Sequence, residues 1–332
     1  MRARPRVAVL SLGGTIAMVE TGRGGGLRPE LEAADLVGAV PGIAEVAEVT
    51  ARSVTTLPGA SLTFEDIVRT HDTALECVAA GAEGVVVTQG TDTLEETAFL
   101  LDLWWPAHVP LVVTGAMRGA GQPGADGPAN LLDAVLLAAH APAAQHGVLV
   151  TLAGQVHAAR HVRKVHSSHL GAFQSPNLGP VGVVAEGQVT FYADLPAHDV
   201  VPRPVPGRSP RVAVVESVLD DDGGPLGLVC DAGYDAVVLS ACGVGHVSRA
   251  VAERVSEAVR RVPVVFASRT EGGGTRSHTY GFVGSESDLI ARGAVPAGVL
   301  DHRKARLLLW ALLAAGRSRE QIATQFRDRA VG

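Results

Sequence analysis

The chain has 332 residues, 47% of them hydrophobic, enough apolar side chain for one large core or two domains. A net charge of −6 without a long basic run disfavours nucleic-acid binding, because neutralising phosphate needs clustered Lys and Arg. Three widely spaced cysteines (Cys77, Cys230, Cys242), no secretory leader and no apolar stretch of the ~18 residues a membrane span needs predict a soluble, cytoplasmic protein.

Arg6 to Leu12 reads as the first strand, ending in Gly13-Gly14-Thr15-Ile16-Ala17, where glycine permits a tight turn and close ligand approach. Gly22 to Gly26 reads as a mobile loop over that strand end. Asp35 to Val40 suits a short helix and Val46 to Val54 a strand; the Pro58-Gly59-Ala60-Ser61 turn then leads to a helix from about Thr63 to Ala80. Val85 to Val87 is a short continuous apolar run, as in a strand buried on both faces. Gln89 and Gly90 break it. Thr93 with Glu96 three residues on forms a capping box, so a helix opens near Thr93. Thr91 and Asp92 therefore fall between the carboxyl end of a strand and a helix N-terminus, the edge at which open α/β sheets bind ligands.

Val109 to Thr114 is another strand, ending in Gly115-Ala116-Met117-Arg118, and a helix follows with Pro128 in its first turn. Val148 to Leu152 is a further strand. Strand and helix in alternation predict a parallel sheet with helices on both faces, a flavodoxin- or Rossmann-like domain over residues 1–200. Five prolines between Pro196 and Pro210 predict an extended connector, with a linker at 201–210. Residues 211–332 read as a second, smaller α/β domain. Its predicted strands are Arg211 to Glu216, Ala236 to Ser240 and Val262 to Ala267. Its predicted helices are Val247 to Arg260, Asp301 to Ala315 ended by Gly316, and Ser318 to Arg327 opened by a Ser318/Gln321 capping box.

Parallel strands put Thr15, Ser61, Thr91, Asp92 and the backbone at Gly115-Ala116 on one sheet edge. Lys164, after the Val148 strand, can reach the same edge. Of 28 basic residues two are lysines, Lys164 and Lys304; a retained lysine offers an amine that can give up its proton, which Arg cannot do, whereas Lys304 reads as chance survival. Two threonine hydroxyls, a carboxylate and an amine can make and break an acyl bond: the amine takes a hydroxyl proton, the aspartate orients the amine, and backbone N–H groups stabilise an oxyanion. Taken singly, Thr15, Ser61, Thr91 and Asp92 read as cap or turn residues, and Lys164 as a surface lysine. His157, His161, His166 and His169 make a zinc site conceivable, but no Cys or Glu completes a ligand set, so no metal is expected. Gly13-Gly14 lacks the spacing of a dinucleotide or P-loop motif.

At these residues the sequence resembles the bacterial L-asparaginases, amidohydrolases with a threonine nucleophile. The matching stretches are Gly13 to Ala17, Gln89 to Thr97, Thr114 to Arg118, Ala125 to Leu131, the Lys164 segment, Gly243-Val244-Gly245 and Lys304-Ala305-Arg306. The resemblance implies that Thr15 attacks the side-chain amide of L-asparagine, with Thr91, Asp92 and Lys164 handling protons. It further implies that Asp92 holds the substrate amine and the Ala60-Ser61 turn its carboxylate. Neither metal nor cofactor is implied, and the implied assembly is a homotetramer, a dimer of dimers. Three departures stand out. The Glu20 to Leu27 loop lacks the tyrosine the family places beside its nucleophile; Ala60 stands where a serine is expected, with Ser61 one place on; and an asparagine expected near His246 to Ser248 is absent. The alternatives are a related amidohydrolase acting on glutamine or another amide, and a non-catalytic amino-acid-binding homologue.

Overall fold

The structure, a computed structural model, describes residues 3–14, 16, 18–20, 27–29, 32–106, 108–195 and 200–329. Thr15, the glycine-rich loop at 21–26 and Pro196 lie outside the described residues. The chain divides into two units, Met1–Val200 and Val201–Gly332.

The first unit begins with β1 (Arg6–Ser11), the short antiparallel pair β2 (Met18–Glu20) and β3 (Leu27–Pro29), α1 (Ala33–Gly38), α2 (Ile43–Val46) and β4 (Glu48–Ser53). It continues through α3 (Phe64–Ala79), β5 (Gly84–Thr88), α4 (Leu94–Asp102), β6 (Leu111–Thr114), α5 (Gly127–Ala138) and β7 (Leu149–Leu152). The remaining strands are β8 (Gln155–Ala158), β9 (Arg163–Lys164), β10 (Phe173–Gln174), β11 (Gly182–Ala185) and β12 (Gln188–Phe191). Eight of these strands form one sheet, in the order β12-β11-β8-β7-β6-β5-β1-β4. Val85, Val86 and Val87 are wholly buried between β1 and β6, which is why that run carries no polar alternation.

Strands β4, β1, β5, β6 and β7 run parallel, but β8, β11 and β12 add an antiparallel flank to the parallel sheet the sequence predicts. The cause lies in two tight turns. Ala153-Gly154 and Glu186-Gly187 all have positive φ, so the chain reverses in two residues and no crossover helix is needed. Neither turn carries the Asn or Asp that usually announces such a hairpin.

Ser11, Thr88 and Thr114 are level across β1, β5 and β6, so the turns after these strands leave from one edge. The strand order moves outward from β1 to β4 and then back across β1 to β5 and β6, so the switch point lies between β1 and β5. There the two backbones nearly touch. A Cβ on Gly14, whose φ is +86°, would overlap the Gly90 backbone, so no other residue fits.

The second unit holds β13 (Val212–Glu216), α6 (Gly224–Asp231), β14 (Ala236–Ala241), α7 (Arg249–Arg261), β15 (Val264–Ser268) and α8 (Glu286–Ala291), then β16 (Val295–Pro296), α9 (His302–Ala314) and α10 (Arg319–Arg329). Its four-stranded sheet, β13-β14-β15-β16, is parallel throughout. The Ser318/Gln321 capping box forms, with Ser318 N–H donating to Gln321 Oε1 at 2.9 Å. Lys304 does not behave as a chance survivor. It is 1% exposed and its Nζ lies 3.5 Å from Asp301 Oδ2, the carboxylate that also caps α9 by accepting the N–H groups of Arg303 and Lys304.

Glu286 is fully buried at the start of α8. Its carboxylate accepts the N–H groups of Thr279 and Tyr280, each at 2.7 Å, and His246 Nε2 at 3.2 Å. Burial alone would raise its pKa, but these hydrogen bonds outweigh burial and hold it below the ordinary value of 4.5. A group depressed in this way adds stability above its unfolded pKa and loses it as pH falls through the folded value. Glu286→Gln is expected to cost about 1–3 kcal/mol in urea unfolding at neutral pH. The gap between wild type and variant should close as the pH is taken below the carboxylate range; a gap independent of pH would contradict this account.

Candidate active site

The turn between β5 and α4 is the centre of the candidate site. Gln89 N–H donates to Thr114 O at 3.0 Å, which carries the sheet pairing past the end of β5. Thr91 is 5% exposed. Thr93 stands at the N-cap of α4 but makes no side-chain capping bond, so the predicted Thr93/Glu96 box does not form. Its hydroxyl donates instead to Gly59 O at 2.8 Å and accepts Gln89 Nε2 at 3.1 Å. The Glu96 N–H that a capping box would use goes to the Thr93 main-chain O at 3.1 Å, and the bond from the Thr93 hydroxyl to Gly59, 34 residues away, ties the Gly59–Ser61 turn to the Thr91 turn.

Lys164 lies on β9, which pairs with β10 through Lys164 and Phe173. Its Nζ donates to Thr91 Oγ1 at 2.9 Å and to Asp92 Oδ1 at 3.0 Å. The lysine side chain is 15% exposed and that of Asp92 68%, so the amine meets a buried hydroxyl on one side and a solvated carboxylate on the other. An ammonium offers donors and no acceptor, so Thr91 Oγ1 is the acceptor here and its own proton is free to point elsewhere. Once the amine is neutral, the same contact lets Thr91 pass a proton to Lys164. That is the arrangement a hydroxyl nucleophile requires of its base.

The structure thus brings together three of the predicted catalytic residues, Thr91, Asp92 and Lys164. The fourth, Thr15, lies outside the described residues, but Gly14 before it packs on Gly90, next to Thr91. Ala60 and Ser61 are exposed on the turn held by Thr93. Ala116 is fully buried, so the structure presents none of its surface to solvent.

Sequence reasoning gives Asp126 and Asn130 no task of their own. Asp126 accepts Met117 N–H at 3.0 Å and Arg118 N–H at 2.9 Å. Asn130, 2% exposed, donates to Gly115 O at 3.0 Å and to Asp126 Oδ2 at 3.0 Å, and accepts Ala153 N–H at 3.0 Å. The pair clamps the loop after β6, and Gly115 in turn lies against Gln89 and Thr91, so a Cβ there would meet Gln89 O at 2.5 Å. A second omission is Glu95, which is 4% exposed and accepts the Lys164 main-chain N–H on Oε2.

The histidines take other parts. His157 is buried, and burial pushes its pKa down to about 4, so the ring is neutral. It is 2.9 Å from Ser175 Oγ and 3.2 Å from Gln155 Oε1. His166 Nδ1 accepts the N–H groups of Ser168 and His169. Among the described residues no cluster of three or more His, Cys, Asp or Glu side chains is placed to hold a metal ion.

Asn130→Leu, which keeps the volume and removes the clamp, leaves Gly115 O and Ala153 N–H unpaired. Each orphaned group should cost about 1–3 kcal/mol. Urea unfolding checks this, and a variant as stable as wild type would remove the clamp from the account.

Comparison with known proteins identifies the family. The family model described as "Asparaginase, N-terminal" matches residues 6–197, and "Glutaminase/Asparaginase C-terminal domain" matches residues 211–326. A probable L-asparaginase of Deinococcus radiodurans is 37% identical over 326 residues, 97% of each chain. A glutamyl-tRNA(Gln) amidotransferase subunit of Methanosarcina barkeri is 30% identical over 299 residues, 88% of this chain and 70% of its own. Among solved structures, a probable cytoplasmic L-asparaginase from Campylobacter jejuni superposes with a TM-score of 0.87 at 30% identity, covering 97% of this chain and 99% of its own. With both family models matched in order and a relative aligned over 97% of each chain, the chain belongs to the asparaginase family.

Proposed function

We propose that this protein is an L-asparaginase, hydrolysing the side-chain amide of L-asparagine to L-aspartate and ammonia through an ester on Thr15. The observation that carries the reading is the Lys164 amine within hydrogen-bond reach of both Thr91 and Asp92. In the first half-reaction the Thr15 oxygen attacks the amide carbon as its proton passes through Thr91 to a neutral Lys164. The tetrahedral intermediate then collapses, the C–N bond breaks, and that proton goes to the departing nitrogen, which leaves as ammonia. In the second half-reaction water attacks the β-aspartyl ester, with the same relay taking its proton and returning one to the Thr15 oxygen. Asp92, mostly exposed, holds the substrate amine as well as Lys164, and the Ala60-Ser61 turn faces the substrate carboxylate. No step calls for a metal or a cofactor. The protein works in the cytoplasm as a homo-oligomer, a dimer of dimers; among the described residues no helix is long and apolar enough to cross a membrane.

One relative favours a second reading. The match to an amidotransferase component leaves room for an amide other than that of asparagine, processed by the same residues. Comparing kcat/KM for asparagine and glutamine separates the two, since one methylene in a pocket is worth about 1–3 kcal/mol.

Purified protein should release ammonia from L-asparagine, and Thr15→Ala should abolish release. Binding of asparagine without turnover, unaltered by Thr15→Ala, would instead mark an amino-acid-binding homologue. Lys164→Arg keeps the charge but not a proton the side chain can surrender, so turnover should fall by about 10²–10⁴-fold, the contribution usual for a positioned acid–base group. Near-wild-type turnover in that variant would sink the role given to Lys164.

A further inference from the structure

Lys164 does not sit in the main sheet. It belongs to the two-stranded ribbon β9-β10, so the large sheet does not fix its distance from Thr91. A lysine carries its amine on a flexible four-carbon stem, and an amine held by its tip alone can follow a drifting main chain through several rotamers. The structure also fixes the root of the stem. Glu95 Oε2 accepts the Lys164 main-chain N–H, and Glu95 belongs to the first turn of α4, one helical turn beyond Thr91 and Asp92. The tip and the root of the same side chain are therefore gripped by residues of one short stretch, Thr91 to Glu95.

We propose that Glu95 is a positioning residue for the proposed amide hydrolysis: by holding the Lys164 backbone against α4 it sets the amine over Thr91. The inference rests on the function given above. Glu95 holds the main chain from which the amine springs, so its work falls on the rate of proton transfer and not on binding. At 4% exposure its carboxyl group is shielded from water, and low-dielectric surroundings strengthen a hydrogen bond. Misplacing a reacting group by about 1 Å can cost about 10²-fold in rate.

Two lysines in the whole chain make a direct test possible. Protein labelled with ¹⁵N-lysine gives two main-chain amide signals, and Lys164→Arg removes one, which assigns it to Lys164. Glu95→Ala should speed hydrogen exchange at the Lys164 amide at least ~10-fold and lower kcat by about 10- to 100-fold with little change in KM. Glu95→Gln, which keeps an acceptor oxygen and the side-chain volume, should restore part of both and decides the matter if the alanine variant does not fold. Unchanged exchange at Lys164 in Glu95→Ala overturns the inference, as does a loss expressed in KM alone or an unchanged kcat. Wild-type protein without amide turnover overturns the proposed function instead. The exchange measurement needs no turnover and still reports whether Glu95 holds Lys164.

Discussion

One lysine amine, hydrogen-bonded to a buried threonine hydroxyl and to a solvated aspartate, is the contact on which the rest of the site depends. Each partner alone is chemically ordinary. Thr91 at a strand end is a turn residue, Asp92 complements a helix N-terminus, and Lys164 on a two-residue strand is a surface base. Together they make a hydroxyl that can be relieved of its proton by an amine whose place is fixed from two sides. The constraint is geometric before it is electrostatic, because proton transfer needs heavy atoms at hydrogen-bond distance.

The sheet supplies that geometry by level strand ends and one close backbone approach. Ser11, Thr88 and Thr114 end their strands in register, and the Gly14 and Gly90 backbones meet across the switch point with no room for a side chain. The loops that follow are then fastened to one another: Thr93 to Gly59, Asn130 to Gly115 and Ala153, Asp126 to Met117 and Arg118. Polar side chains bonded to main-chain groups of neighbouring loops make the edge stiff, most of all buried Asn130, whose loss would leave Gly115 O unpaired out of water.

The second unit uses the same devices for stability. Lys304 is buried beside Asp301, and Glu286 is buried with three donors; in each case the charge inside the protein has a partner. Family membership covers both units, and relatives named for asparaginase and for an amidotransferase share the alignment. These two sets of relatives differ in the activity for which they are named.

What the sequence determined by itself was local. The valine run of β5, the turn at Thr91 and Asp92, the proline opening α5 and the Ser318 cap each follow from rules that act within one turn or one strand. Gly13-Gly14 and the Thr91-Asp92 turn also carried the family likeness. Tertiary structure decided the rest. The Thr93 hydroxyl bonds to Gly59 O, distant in sequence, while the Glu96 N–H turns to the Thr93 main-chain O, and the hairpins after β7 turned antiparallel on Ala-Gly and Glu-Gly pairs that signal reversal weakly. Glu95, which sequence reasoning left without a task, is in the structure the anchor of a lysine 69 residues away. Which side chains meet across such a separation is set by how strands and helices pack, and no rule of local spacing reaches that far.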